Sequence, residues 1–252
     1  MLIDTHCHLH DLEFYPDNRE AVYAESIEAG VTMVCVGTDV SSSLAAVDFV
    51  ATHPKCWAVV GIHPHEAATA NVAAIEDILK ANHARVVGVG EIGLDYYYTN
   101  SPREQQRRVL REQLALAVKY RLPVSFHVRD AYDDFWPIFR EFKGVKGVLH
   151  SFTDTKENAQ IALSHGLYIG VNGISTFTKD KQQQQLYREL PLASIVLETD
   201  APFLTPAPFR GKMNKPAYVG RVAEHQAALK QVSVSHVVRT TTHNAKVLYR
   251  IP

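Results

Sequence analysis

Gly30-Val31-Thr32-Met33-Val34-Cys35-Val36-Gly37 is apolar or β-branched at every position between its two glycines, with no alternation of polar and apolar side chains. A strand with one wet face alternates, whereas a strand covered on both faces does not, so this run reads as part of a parallel sheet packed between helices. Its flanks agree. Residues 18–29 place Ala21, Ala24 and Ile27 on a helical face that ends at Gly30, a favoured C-cap, and Ser41-Ser42-Ser43 caps a helix running to about Thr52.

The same couplet recurs in both directions. Leu2-Ile3 opens the chain as a first strand, and Trp57 to Ile62 precedes a helix over residues 72–82. Val86 to Gly90 precedes a long helix that begins at Ser101-Pro102, with Pro102 at the first helical position, and reaches about Tyr120. Pro123 to Phe126, Gly147 to Leu149, Leu167 to Val171 and Ser194 to Leu197 are the remaining strands. Helical segments follow them over residues 131–142, 156–165, the Lys- and Gln-rich 179–185, 218–230 and 234–249. Eight strand–helix units predict an α/β fold of the (β/α)8 TIM barrel type, with residues 1–252 as one domain, close to the ~250 residues typical of that barrel. A doubly wound open sheet is the alternative, but no Gly-rich phosphate fingerprint follows the first strand.

Composition bounds the function. With 26 basic and 27 acidic residues the formal charge is −1, so any attraction for nucleic acid must be local, and no pull towards an anionic membrane is expected. No apolar run approaches the ~20 residues of a membrane span, and Asp4 with two histidines stands where a signal peptide would need a basic end. Cys7, Cys35 and Cys56 are odd in number and lack C-x-x-C spacing, which argues against disulfides and a structural zinc knuckle. A cytoplasmic protein, monomeric or weakly oligomeric, is expected.

The chemistry gathers at strand ends. His6 and His8 share one face of the first strand by its period of two, with Cys7 opposite. His63 follows the third strand, Glu91 the fourth, His127 the fifth, His150 the sixth and Asp200 the eighth. In a barrel those ends converge on the catalytic face. Imidazoles with two carboxylates suit zinc, manganese or another divalent first-row ion, and they suffice for two metals with open positions. A carboxylate such as Glu91 can bridge two cations, whose charge would bind an anionic group and activate a water; phosphate esters suit such a site, with carboxylate and amide substrates left open.

The chain resembles the TatD family of metal-dependent hydrolases, the TatD-type deoxyribonucleases of the amidohydrolase-like barrel superfamily. The resemblance is carried by D-T-H-C-H-L at Asp4 to Leu9, G-I-H-P-H at Gly61 to His65 and G-E-I-G-L-D-Y-Y at Gly90 to Tyr97. H-V-R-D at His127 to Asp130, L-H-S-F-T at Leu149 to Thr153, L-E-T-D-A-P at Leu197 to Pro202 and R-G-K-x-N at Arg210 to Asn214 extend it along the whole chain. Ser151 stands where many relatives have cysteine.

The resemblance implies that His6, His8, Glu91 and Asp200 hold one metal and that Glu91, His127 and His150 hold a second, the ions being Mg, Mn or Zn. It also implies that His63 contacts the scissile phosphate, that Asp200 accepts the proton of the attacking water, and that Arg210 or Lys212, with Arg129, holds phosphate. The expected substrate is DNA, in short or single-stranded ends cut from the 3′ side. An ester or amide hydrolase, such as a D-aminoacyl-tRNA deacylase, and a metal-binding scaffold without catalysis are the alternatives.

Among the remaining candidates, His65 reads as a substrate contact or a loop hydrogen bond, and Tyr96, with Tyr97 and Tyr98, as a base-stacking platform or a cap on the core. Glu198 alternates away from Asp200 and reads as a packing or orienting residue, and Asp95 as a fixer of loop geometry. His10, His53, His83, His165, His225 and His236 read as surface or helix residues.

Overall fold

The computed structural model describes residues 1–98 and 100–252. In chain order the elements are β1 (Leu2–Cys7), α1 (Arg19–Glu28), β2 (Val31–Val36), α2 (Val40–Thr52), β3 (Cys56–Val60), α3 (Val72–Lys80), β4 (Val86–Asp95) and α4 (Arg103–Tyr120). They continue with β5 (Val124–Arg129), α5 (Tyr132–Glu141), β6 (Gly147–Leu149), α6 (Lys156–Ser164), β7 (Tyr168–Val171), α7 (Lys181–Glu189), β8 (Ile195–Leu197), α8 (Val219–Lys230) and α9 (Val234–Tyr249).

The strands form one sheet in the order β1 to β8, and a parallel bridge between Cys7 and Ala201 joins the end of β1 to the chain just beyond β8. Sequential parallel order with its two edges joined is a (β/α)8 barrel. All residues of β1 and β2 are buried, as the unbroken apolar run at 31–36 requires. Each fully buried Val, Ile or Leu there contributes ~1.5–3 kcal/mol of transfer free energy. Among the described residues no helix is long and apolar enough to cross a membrane.

The chain divides into two compact units, Met1–Cys35 with Ser151–Pro252, and Val36–His150. In the first, the Thr5 hydroxyl donates to the Leu197 carbonyl at 3.0 Å, the Asp200 amide to His6 O at 2.8 Å and the His8 amide to Ala201 O at 2.8 Å. The chain after β8 therefore runs alongside His6 in β1 and His8 just beyond it.

In the second unit β4 and β5 depart from expectation. β4 continues past Gly90 to Asp95, and β5 past Phe126 to Arg129, in a register that pairs Gly93 with His127 and Asp95 with Arg129. Glu91 and His127 accordingly lie within strands rather than beyond them. The cause is close approach at Gly93, where a Cβ would stand 1.7 Å from the His127 carbonyl oxygen. Only glycine lets the two strands stay paired there.

Helix α4 secures two of these segments from outside. It starts at Arg103, so Pro102 is its N-cap residue rather than its first helical residue. Gln106 and Gln113, two turns apart, both face inward. Gln113 accepts from the Ile62 amide at 2.7 Å and donates to the Ile62 carbonyl at 2.9 Å, just ahead of His63. Gln106 treats Asp95 in the same way, at 2.8 and 3.0 Å. Each side chain satisfies a backbone donor and acceptor that would otherwise be buried without partners.

Replacing Gln113 by Leu keeps the volume and removes both bonds, so it should cost about 3 kcal/mol. Gly93→Ala should cost about as much through overpacking and backbone strain. Urea unfolding with an unchanged m value checks both, and a loss under about 0.5 kcal/mol at either position would contradict the stated cause.

Candidate metal centre

In the first unit His6, His8 and Asp200 come together. His6 Nε2 lies 3.8 Å and His8 Nε2 3.4 Å from Asp200 Oδ1. One ligand atom from each of the three lies within 4.8 Å of the others. Two donors bound ~2.1 Å from one first-row ion are themselves ~3–4 Å apart, so this group fits a divalent cation.

Local structure aims each member. His6 lies within β1 and His8 one residue past its end, beyond the strand expected to carry both, and Asp200 takes a left-handed backbone, φ +57°, that turns the chain directly after β8. Asp4 shares the face of His6 by the strand's period of two. Its buried carboxylate accepts from the Thr199 amide at 2.8 Å, the Thr199 hydroxyl at 2.6 Å and the His6 amide at 3.3 Å. Burial pushes the Asp4 carboxyl up to about 8, against the pull of those Thr199 bonds. Asp4 thereby ties the neighbour of Asp200 to β1.

In the second unit three imidazoles face one carboxylate. Glu91, only 4% exposed, has His127 Nδ1 at 2.9 Å, His63 Nε2 at 3.8 Å and His150 Nε2 at 3.9 Å from its Oε1. One ligand atom each from His63, Glu91 and His127 lies within 4.8 Å of the others, a spacing that suits a divalent cation, and His127 is hydrogen-bonded to the carboxylate.

His127 is also held from behind. Its Nε2 lies 2.9 Å from Asp95 Oδ2, which lies 2.9 Å from His65 Nε2 as well. Asp95 Oδ1 accepts from the amides of Tyr97 and Tyr98 at 3.0 and 2.9 Å. Burial opposes the charge on Asp95, yet bonds from His127, the Tyr98 amide and His65 hold its carboxyl well below the usual range. Burial likewise opposes an imidazolium at His127, but Asp95 and Glu91 overcome it and lift the ring to about 9.

His63 behaves oppositely, pushed well below its ordinary value by burial and by His127 beside it. Its Nδ1 accepts from the His65 amide at 3.1 Å. The neutral ring therefore carries its proton on Nε2, the atom directed towards Glu91.

The other expected contacts divide. Arg129 follows His127 by two residues on β5 and so shares its face. Its guanidinium lies over the rings of Tyr97 and Tyr98, 3.9 and 4.9 Å from their centroids, with no carboxylate partner among the described residues. Tyr96 points elsewhere: its hydroxyl donates to Asp134 at 2.6 Å and Arg103 covers its ring, so the exposed tyrosines are Tyr97 and Tyr98. His65 is engaged by Asp95, the loop-bond reading. Arg210 lies over Phe177 at 3.8 Å and donates to Thr205 O at 2.8 Å, while Lys212 is exposed near Phe209.

Glu198 is fully buried and accepts the Ser151 amide at 2.5 Å, an orienting role as its alternation suggested. His10 is not a surface residue. It is buried, its ring 6.3 Å from that of His8, and desolvation lowers it to about 3.

Sequence reasoning gave no role to Gln106 and Gln113, and Asp4 and Asn214 stood in its motifs with none of their own; Asn214 donates to the carbonyls of Thr199 and Phe203. Each is a polar side chain whose task is to hold backbone. Asp4 carried a signal as a carboxylate inside an apolar strand two residues before His6, and Asn214 as the end of the R-G-K-x-N motif, whereas the glutamines carried none.

Comparison with known proteins agrees with this geometry. The sequence matches the TatD related DNase family over residues 3–250. The metal-dependent hydrolase YabD of Bacillus subtilis (strain 168) is 37% identical over 256 residues, covering 100% of both chains. The 3'-5' ssDNA/RNA exonuclease TatD of Escherichia coli (strain K12) is 31% identical over 259 residues, covering 99% of each. The crystal structure of YJJV, a TatD homolog from Escherichia coli K12, superposes with a TM-score of 0.92 at 29% identity, over 100% of this chain and 98% of the other. The chain belongs to the TatD related DNase family and is a metal-dependent hydrolase.

Proposed function

We propose that the chain, acting as a single cytoplasmic domain, is a 3′–5′ exonuclease that hydrolyses phosphodiester bonds at short or single-stranded DNA ends. The observation that carries this reading is Glu91, a buried carboxylate faced by His63, His127 and His150. The exonuclease named among the relatives supports the choice of substrate. His6, His8, Glu91 and Asp200 would hold one divalent ion, and Glu91, His127 and His150 a second, as Mg, Mn or Zn. When bound, such ions supply the positive charge that acidifies water and offsets the charge of the phosphate.

The chain's own side chains do the rest. The Asp200 carboxylate accepts the proton of the attacking water and returns it to the sugar oxygen that leaves as its bond to phosphorus breaks. His63, neutral and protonated on Nε2, donates that hydrogen to a phosphate oxygen, and its depressed basicity keeps the site from gaining a fixed charge. Arg129, Arg210 and Lys212 hold neighbouring phosphates. Asp95 keeps the His127 proton on Nε2, which leaves the Nδ1 lone pair for a metal.

Stripped protein reloaded with Mg, Mn or Zn should shorten end-labelled single-stranded DNA. Turnover of a D-aminoacyl-tRNA with DNA untouched by every metal would replace this reading with the deacylase one. Glu91→Ala should lose bound metal and at least roughly a thousandfold in turnover together, read by elemental analysis beside the assay. Metal content equal to wild type would remove Glu91 from the bridging role.

Asp95→Asn should lower metal affinity by about ten- to a hundredfold while the fold persists, since the amide oxygen can still accept from Tyr97 and Tyr98. Metal uptake must also displace the His127 proton, which is held up to about pH 9. Affinity should therefore fall as pH drops below about 9, by up to roughly tenfold per unit, with one proton released per site. Calorimetry in buffers of different ionisation enthalpy reads that proton, and a pH-independent affinity between 6 and 9 would exclude His127 as a ligand.

A further inference from the structure

Beside His6, His8 and Asp200 lies an aromatic edge for which metal binding has no use. Phe203 is 47% exposed, and half-buried Phe14 meets it edge to face, centroids 5.1 Å apart at 80°. The His8 ring stands 6.3 Å from each. Phe203 comes three residues after Asp200 and its amide donates to the Asp200 carbonyl at 2.8 Å, so its position is tied to the carboxylate.

Asn214 fixes the turn from the other side. It is buried, its side-chain amide donates to the carbonyls of Thr199 and Phe203 at 2.9 and 2.5 Å, and its backbone amide donates to Pro202 O at 3.0 Å. An apolar ring is thus held out in solvent on a braced turn. The same stretch carries Arg210 and Lys212, neither with a carboxylate partner among the described residues, and Arg210 is anchored by Phe177 and the Thr205 carbonyl. An open aromatic face with uncompensated cations along one loop is the pattern by which proteins take single strands, rings stacking on bases and cations following phosphates.

We propose that Phe203, backed by Phe14, seats the terminal nucleobase of the single strand whose phosphodiester is cut beside His8 and Asp200. The inference rests on the nuclease reading above and adds to it how the end is recognised. Stacking uses a face that every base possesses, so all four terminal bases are accepted, whereas a base still paired and stacked in a duplex cannot reach the ring. Phe14 keeps the Phe203 ring upright through its edge contact.

The test compares two oligonucleotides alike except that one ends in an abasic tetrahydrofuran nucleotide. Wild-type protein should prefer the normal end, and Phe203→Leu should lower kcat/KM for that end by about tenfold while changing the abasic end far less, so that the preference collapses. Phe203→Tyr, which keeps the ring, should retain the preference. Equal losses on both substrates, or no preference in the wild type, would overturn the proposal. Should Phe203→Leu lose metal or unfold, the Tyr variant decides: loss of preference with metal content intact overturns the seat, and retention upholds it. Failure of the nuclease reading looks different, because wild-type protein would then cut neither oligonucleotide with any metal, and the base seat would fall with it.

Discussion

Burying carboxylates among imidazoles is the constraint on which the second unit depends. Glu91 and Asp95 are removed from water, where an ionised carboxylate costs several kcal/mol unless hydrogen bonds or charges replace its hydration. His127 lies between them and bonds to both. Two carboxylates and one ring would be an unstable arrangement if each could move. The backbone therefore restrains all three: Gly93 lets β4 and β5 approach, Gln106 holds the ends of Asp95, and the amides of Tyr97 and Tyr98 close on its second oxygen. The tyrosines that support Arg129 are ordered by the same carboxylate that orients His127.

In the first unit burial prevails instead and raises the Asp4 carboxyl, while neighbouring groups still hold it in place. Asp4 is buried, and the amide and hydroxyl of Thr199 occupy its two oxygens. The result is that Asp200 and its following turn are referenced to β1 twice, through Thr199 and through the backbone bonds to His6 and Ala201. In both units a non-ligand Asp sits behind the candidate donors and gives them one geometry. That is the division of labour found around metal sites, where groups behind the ligands tune orientation and affinity.

Much of this could be read from the sequence because it is local. Unbroken apolar runs such as 31–36 announce parallel strands, and His6 and His8 show their common face through a period of two. What escaped depends on distant partners. The extension of β4 to Asp95 follows from a missing Cβ opposite His127 and from a glutamine on another helix, neither visible in the hydrophobic pattern. Asp95 after Gly93-Leu94 looks like an ordinary loop residue until His65 and His127, 30 and 32 positions away, are brought to it. His10 continues the spacing of His6 and His8 further beyond the strand, which ends at Cys7, and only the packing around His8 decides that it is buried.

Electrostatics join the two halves of the functional reading. A net charge of −1 gives no long-range attraction for a polyanion, so association must be decided close to the site. Arg129, Arg210 and Lys212, which have no carboxylate partner among the described residues, lie near exposed aromatic rings, Tyr97 and Tyr98 beside the first and Phe203 on the loop of the others. Under the proposed exonuclease reading, such contacts with the last nucleotides would select an end, with little gained from tracking along a duplex.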